Sequence, residues 1–429
     1  MNMLRITNSL SAISAPLREA FIAACVLFAL VAPSPAQQWD RFRGPNGDGQ
    51  SDAPSIPLEW TAANYLWKQP LAGIGHSSPV VWGERVFITS ADPQSAEQTV
   101  SAFDAHTGAP LWERRFPGAR YQQHAQNSFA SSTPAVDADR LYFAWRAGET
   151  ITLVALSHEG KDVWRREIAR SDEKYGFGAS PVLVDGVVCV INDNESDSNL
   201  TAVDQKTGEV RWRVSRPSGQ SAFSTPCLLD SAGGKKLLVT ASTAAGLVVV
   251  DPASGKTAWQ MLEKDLPQRC VSSPIVAGGL VLVSCGLVNN GLHLIAVKPG
   301  DGARPPQEVY RIKEGVPNVP TPVVAGDLLF LWHDRGTVAC HDLATNERYW
   351  RERIGGNFNS SPIRIGKRIY CASRAGEMVV LAADKKFQVL ARFSVGEACN
   401  ATPAVAHDRL YLRTESSLMC IGEPASASQ

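Results

Sequence analysis

Several things are scarce in this 429-residue chain, and each scarcity excludes a class of function. Neither sign of charge is in excess: 42 Lys and Arg balance 42 Asp and Glu. Nothing therefore points to a nucleic-acid or strongly anionic membrane partner. The eight histidines never fall in metal-ligand spacing, which removes the usual zinc patterns. There is no Cys-x-x-Cys and no Cys-x-x-Cys-His, so neither a redox motif nor covalent haem is indicated. No two cysteines are adjacent. Beyond the first forty residues no stretch is apolar enough to span a bilayer. There is no long low-complexity tract, and a 44% hydrophobic content is that of an ordinary globular protein.

The N-terminus reads as an export signal. Arg5 and Arg18 carry positive charge, residues 20–32 are an uninterrupted apolar run, and Ser34 and Ala36 offer a small-residue cleavage site. We read residues 1–36 as a signal peptide and the protein as exported, to a periplasmic or extracellular envelope location. Two other readings of the segment stay open. Residues 22–25 match a lipobox in outline, with Cys25 as the lipid-bearing residue, but the greasiest part follows the cysteine. An uncleaved anchor is the other, although thirteen apolar residues are short for a membrane span. The mature chain keeps eight cysteines, at 189, 227, 270, 285, 340, 371, 399 and 420. Most lie in apolar runs, and buried free thiols are the expectation.

What the chain has in quantity is repetition. A Ser/Thr-Pro dipeptide recurs before a short apolar run, with prolines at 79, 134, 181, 226, 274, 322, 362 and 403. The spacings of 40 to 55 residues are those of propeller blades. Each copy continues through β-rich runs to a turn of the form D-x-x-T-G, with a tryptophan four residues on, as in residues 104–112, 204–212 and 251–259. Residues 342–350 carry asparagine for the glycine, residues 157–164 are one residue shorter, and the copies after Lys298 and Asp384 lack the tryptophan. Short runs bounded by turn residues read as antiparallel strands. Aspartate accepts hydrogen bonds from N–H groups just ahead of it, and glycine supplies the left-handed turn conformation. Proline opens a strand without losing a ladder bond. The blade-docking tryptophans are Trp67, Trp112, Trp164, Trp212, Trp259 and Trp350, each a flat ring to bury between neighbouring blades.

The expected fold is all-β: an eight-bladed propeller of four-stranded antiparallel blades spanning residues 60–422. The eighth copy ends after three strands, and the segment around Trp67 completes it; seven blades with an N-terminal extension is the competing topology. Residues 37–59 form a lead-in and residues 423–429 a tail. The glycine-rich lead-in at residues 44–49 follows no strand and opens no helix, so it is not a phosphate loop. We expect it to drape over the propeller with Trp39 and Phe42 packed against it.

The A-x-D-x-x-T-G-x-x-x-W signature, at residues 102–112 and 202–212, resembles the pyrroloquinoline-quinone (PQQ)-like propeller repeat. The resemblance covers residues 60–422 and implies one of two functions. One is a quinoprotein oxidoreductase of alcohols or sugars, with PQQ and calcium on the propeller axis. The other is the non-enzymatic branch that includes BamB of the outer-membrane β-barrel assembly machinery. Many alcohol-oxidising members carry a vicinal Cys-Cys disulfide over the quinone, which this chain lacks. The expectation is therefore a monomeric binding scaffold with no catalytic residue, no metal and no cofactor, taking a protein, small-molecule or glycan ligand on one face. Glycan hydrolysis has no secure carboxylate pair to support it.

Candidate binding residues come from the longest connection, residues 116–132, which mixes aromatic and hydrogen-bonding groups: Arg120, Tyr121, His124 and Asn127. His333 and Arg335 sit at a strand end and are further candidates for an axial position, against a plain turn. Asp193, Glu195 and Asp197 alternate like the start of a calcium loop but lack its later glutamate and central glycine, so a polar inter-strand loop is expected there.

Overall fold

A computed structural model describes residues 38–424 apart from 55, 232, 262–265, 267–268, 288–290 and 302–303. The expected signal peptide at 1–36, Cys25 and most of the tail lie outside the described residues. Eight four-stranded antiparallel sheets follow one another as blades. The innermost strands start just after each Ser/Thr-Pro, as at Val182–Val184 and Ile363–Ile365, and are short and buried. The outermost strands carry the tryptophans, as at Pro110–Phe116 and Val210–Ser215. Tyr65–Pro70 pairs antiparallel with Ser417–Ile421, Trp67 opposite Cys420. The eighth blade is thus built from both ends of the propeller, and the seven-blade alternative falls.

The turn chemistry is as the repeat implies. Asp104 Oδ1 accepts from the N–H groups of His106 and Thr107 and from the Thr107 hydroxyl, at 3.0, 2.7 and 2.8 Å. Asp204 repeats the pattern, and Arg211 and these turn donors hold its carboxyl down to about 2. Five of the turns then receive the tryptophan of the preceding blade. The indole N–H groups of Trp67, Trp112, Trp164, Trp212 and Trp350 donate to the carbonyls of Ala105, His158, Gln205, Pro252 and Asp384. Two copies without the tryptophan find substitutes. Tyr310 donates its hydroxyl to Leu343 O at 2.7 Å. At the seventh blade, where Ala391 stands, Trp60 from just before the first strand of the propeller joins the same apolar cluster and meets Phe393 edge-on.

The Ser/Thr before each proline has a purpose that the repeat alone did not reveal. Its hydroxyl accepts the N–H of the equivalent residue in the preceding blade. The bonds run from Ser78 to Thr133, Ser180, Thr225, Ser273, Thr321, Ser361 and Thr402, and back to Ser78, at 2.9–3.2 Å. This is a closed ring of eight, all of it buried. Only residues with a short hydroxyl side chain supply that acceptor without extra volume. Thr225→Val would orphan the buried Ser180 N–H, and a loss of about 1–3 kcal/mol is expected. Thr225→Ser keeps the acceptor and should cost far less; urea midpoints of the two variants test this.

The lead-in packs on the propeller at its axis, with Trp39 buried in the core. Gln38–Trp39 adds an antiparallel strand to the innermost strand Val80–Trp82, and Gln50–Ser51 pairs in parallel with Ile363–Ile365. Between them the chain crosses the axis. Asp40 O accepts Val136 N, Arg41 donates to Pro226 O, and Asn46 exchanges two hydrogen bonds with the Leu228 backbone. Residues 38–51 therefore bond to the inner edges of blades one, two, four, six and seven. The physical reason is that innermost strands present unpaired backbone groups to the axis, and buried ones need partners. Arg43, Asn46, Gly44, Gly47 and Gly49 all have positive φ, which coils the segment tightly enough to fit. At Gly44 a Cβ would stand 2.7 Å from the Trp39 ring, so no side chain is tolerated there.

The eight cysteines of the propeller are buried free thiols. Asp193 turns inward onto Arg216, with Nε to Oδ1 at 2.7 Å and both side chains 4% exposed. That buried ion pair, not a calcium loop, is the use of this carboxylate.

Candidate functional site

With the axis crossed by residues 38–51, one mouth of the channel becomes a blind funnel of about 320 Å³. Phe42 is the lead-in residue that lines it. All eight blade-to-blade connections contribute to the wall, each through the residue two positions before its Ser/Thr-Pro. Blades seven, eight, one and two supply a polar arc of Asn359, Asn400, His76 and Ser131. Blades three to six supply a less polar arc of Gly178, Phe223, Val271 and Val319. The repeat places these eight positions together because each connection approaches the axis at the same point of its blade. A position fixed relative to the Ser/Thr-Pro, with identity varying from copy to copy, was the available signal.

The candidates from the long connection divide. His124 and Asn127 line the funnel. Asn127 is held by its amide to Tyr175 O at 2.8 Å, and its Oδ1 accepts Ser128 N and the Ser131 hydroxyl. Arg120 and Tyr121 line an adjacent groove with Asn127 as the shared wall. Tyr121 packs edge-on to Phe129 and beneath the Arg146 guanidinium, 4.3 Å from its ring centroid. Arg120 is exposed and reaches Gln94 O. His333 and Arg335 line neither space; they form a turn in which His333 Nδ1 accepts Arg335 N. The residue between them is the one turned inward: Asp334 accepts the N–H groups of Asn318 and Val319 at 2.7 and 3.0 Å. It thereby fixes the connection that carries the lining residues Asn318, Val319 and Thr321.

Sequence reading missed Arg269, His76 and the asparagines Asn318, Asn359 and Asn400; the Asn359 side-chain amide donates to Asn400 Oδ1 at 3.0 Å. Arg269 stacks over the Tyr175 ring at 4.0 Å. Behind His76, Arg413 is buried and donates to Ser77 and to Thr89 O. Burial, then the Arg413 and Arg374 charges, push the His76 imidazole down to about 4. An unfolded histidine takes up a proton near the ordinary value of about 6.5. Acidification through the interval between the two values therefore favours the unfolded chain. From His76 alone, stability should be on the order of 2 kcal/mol lower at about pH 5 than at about pH 7. His407, at the seam between blades eight and one, is shifted the same way by burial. Urea melts at the two pH values test this, and His76→Asn should flatten the slope.

A family profile described as outer membrane protein assembly factor BamB matches three successive stretches, residues 58–196, 196–305 and 296–422. The chain belongs to this family. BamB of Burkholderia pseudomallei is 21% identical over 347 residues, covering 79% of this chain and 81% of that protein. BamB of Yersinia pestis is 25% identical over 278 residues, 63% of this chain and 62% of the relative. Among solved structures, BamB from Moraxella catarrhalis superposes with a TM-score of 0.59 at 14% identity, over 85% of this chain and 99% of that one. Quinohemoprotein alcohol dehydrogenase from Comamonas testosteroni gives 0.66 at 12% identity, over 92% and 82%. At such identities the likenesses establish the shared propeller fold and leave chemistry to the site. The BamB-family funnel of this chain has a single arginine and no carboxylate side chain among its described lining residues. Calcium asks for six to eight oxygen ligands, usually with carboxylates among them, and PQQ carries several acid groups of its own. The lining does not fit that pair. No helix among the described residues is long and apolar enough to cross a membrane.

Proposed function

We propose that this chain is an exported, non-catalytic BamB-family propeller that binds a protein segment or small ligand in its blind funnel, in the service of cell-envelope assembly. The observation that carries the reading is the funnel itself: one concave space, walled by all eight connections, with a polar arc facing a less polar one and Phe42 among its lining residues. Binding sites on rigid scaffolds have this form, with an apolar body and a few placed polar groups. The BamB relatives and the signal-like N-terminus support the envelope setting.

The test is photo-crosslinking in envelope extracts, with a crosslinking side chain at position 124 on the funnel rim or at position 111 on the outer edge of blade one. Capture of a barrel-assembly component or its client from position 124, and not from 111, is the expected result. Chelator-sensitive dye reduction with alcohols or sugars after incubation with PQQ and calcium would overturn the reading in favour of a quinoprotein oxidoreductase.

A further inference from the structure

We infer that the funnel selects ligands carrying one carboxylate on an apolar body; this rests on the funnel being the binding face. Among the described lining residues Arg269 is the only ionisable side chain other than Tyr175 and the two histidines, and His76 is neutral at physiological pH because burial and the Arg413 and Arg374 charges push its imidazole down to about 4. The Arg269 guanidinium carbon lies 4.0 Å from the Tyr175 ring centroid, and the side chain makes no hydrogen bond or ion pair among the described residues. The carboxylate that acts on it electrostatically, Glu173, is itself buried, accepts Tyr175 N at 2.8 Å, and stands outside ion-pair distance. Stacking on an aromatic face holds a guanidinium plane while leaving its edge N–H groups free to donate. An arginine so placed offers a fork to one carboxylate.

Its surroundings define the rest of the ligand. Arg269 shares a connection with Val271, and the flanking connections bring Phe223 and Val319 to the same arc. These three side chains form the apolar wall. Asn318, on the same side, lines the funnel with an Oδ1 that has no partner among the described residues, an acceptor for a ligand N–H. One anionic head, an apolar body and a nearby N–H describe either a free organic acid or the C-terminal residue of a polypeptide. The shared chemistry is the carboxylate next to an apolar group.

Calorimetry on the full chain tests the proposal with two matched pairs: phenylacetate against phenylacetamide, and N-acetylphenylalanine against its amide. The acid of each pair should bind about 10- to 100-fold more tightly than the amide, as expected for a charge-assisted fork. Tighter binding of the N-acetyl compound identifies the chain-end source, and tighter binding of phenylacetate identifies the free acid; either supports the shared chemistry. Arg269→Gln should erase the difference between acid and amide while Arg335→Gln, on the exposed turn, leaves it intact. Equal binding of acid and amide by the unaltered protein, or discrimination that survives Arg269→Gln, overturns the inference. Absence of binding by all four compounds also overturns it, while crosslinking at position 124 decides separately whether the funnel binds anything.

Discussion

Arg43→Met should destabilise the propeller by roughly 3–5 kcal/mol, the range for breaking a buried polar network. Arg43 is fully buried, and its guanidinium donates to five carbonyls: Gly47 and Asp48 in its own coil, Thr321 and Pro322 at blade six, and Pro362 at blade seven. No carboxylate is within ion-pair distance of it among the described residues; carbonyl dipoles and the nearby Asp48 charge stabilise it, while burial pulls its pKa down to about 10. Methionine fills comparable volume but leaves those acceptors without donors. Arg43→Lys is the informative control, because it keeps the charge and loses the planar fork. It should recover only part of the loss. Guanidinium melts of the three proteins measure the effect; an Arg43→Met midpoint equal to that of the parent would show that the axial segment does not brace the ring.

The second large effect belongs to the tryptophan–glycine contact between blades. Trp164→Ala should cost about 3–5 kcal/mol, as for other buried aromatic truncations, because the indole is 9% exposed and bonds Gln205 O at 2.9 Å. Gly208, in the turn of the next blade, lies directly against that ring: a Cβ there would come within 2.6 Å of it, and its φ of +72° is in the left-handed region. Gly208→Ala should therefore be destabilising on both counts, steric overlap and backbone strain. The double variant separates them. With the indole gone the overlap disappears, and only the φ cost remains. The cycle should close at less than the sum of the two single losses, by about 1 kcal/mol or more. Strict additivity would mean that the ring does not rest on the glycine. The pair also explains a departure in the repeat. Asn346 replaces the glycine where the preceding blade offers Tyr310 in place of tryptophan, and asparagine tolerates the φ of 65°.

Blade number, strand order and turn chemistry were legible because they are local. An aspartate reaches donors two and three residues ahead, a proline opens the strand it belongs to, and a period of forty-odd residues repeats whatever works once. The orphan strand at Trp67 was legible too, since it copies its counterparts. Beyond that, only part of the site was. His124 and Asn127 were found because a long, mixed connection is visible as such. Arg269, His76 and the asparagines were not, because each stands alone in its own copy and becomes a lining only when eight copies face one axis. The path of residues 38–51 across the axis was not legible for the same reason. Nothing in a glycine-rich coil says that its arginine will meet carbonyls 278 and 319 residues away. By itself, then, the amino-acid order determined the blades and the way each docks on the next. The tertiary structure decided that the hydroxyl ring closes, that the channel is stopped, and that one arginine faces an apolar wall, since these depend on the geometry of a closed circle and not on any segment within it.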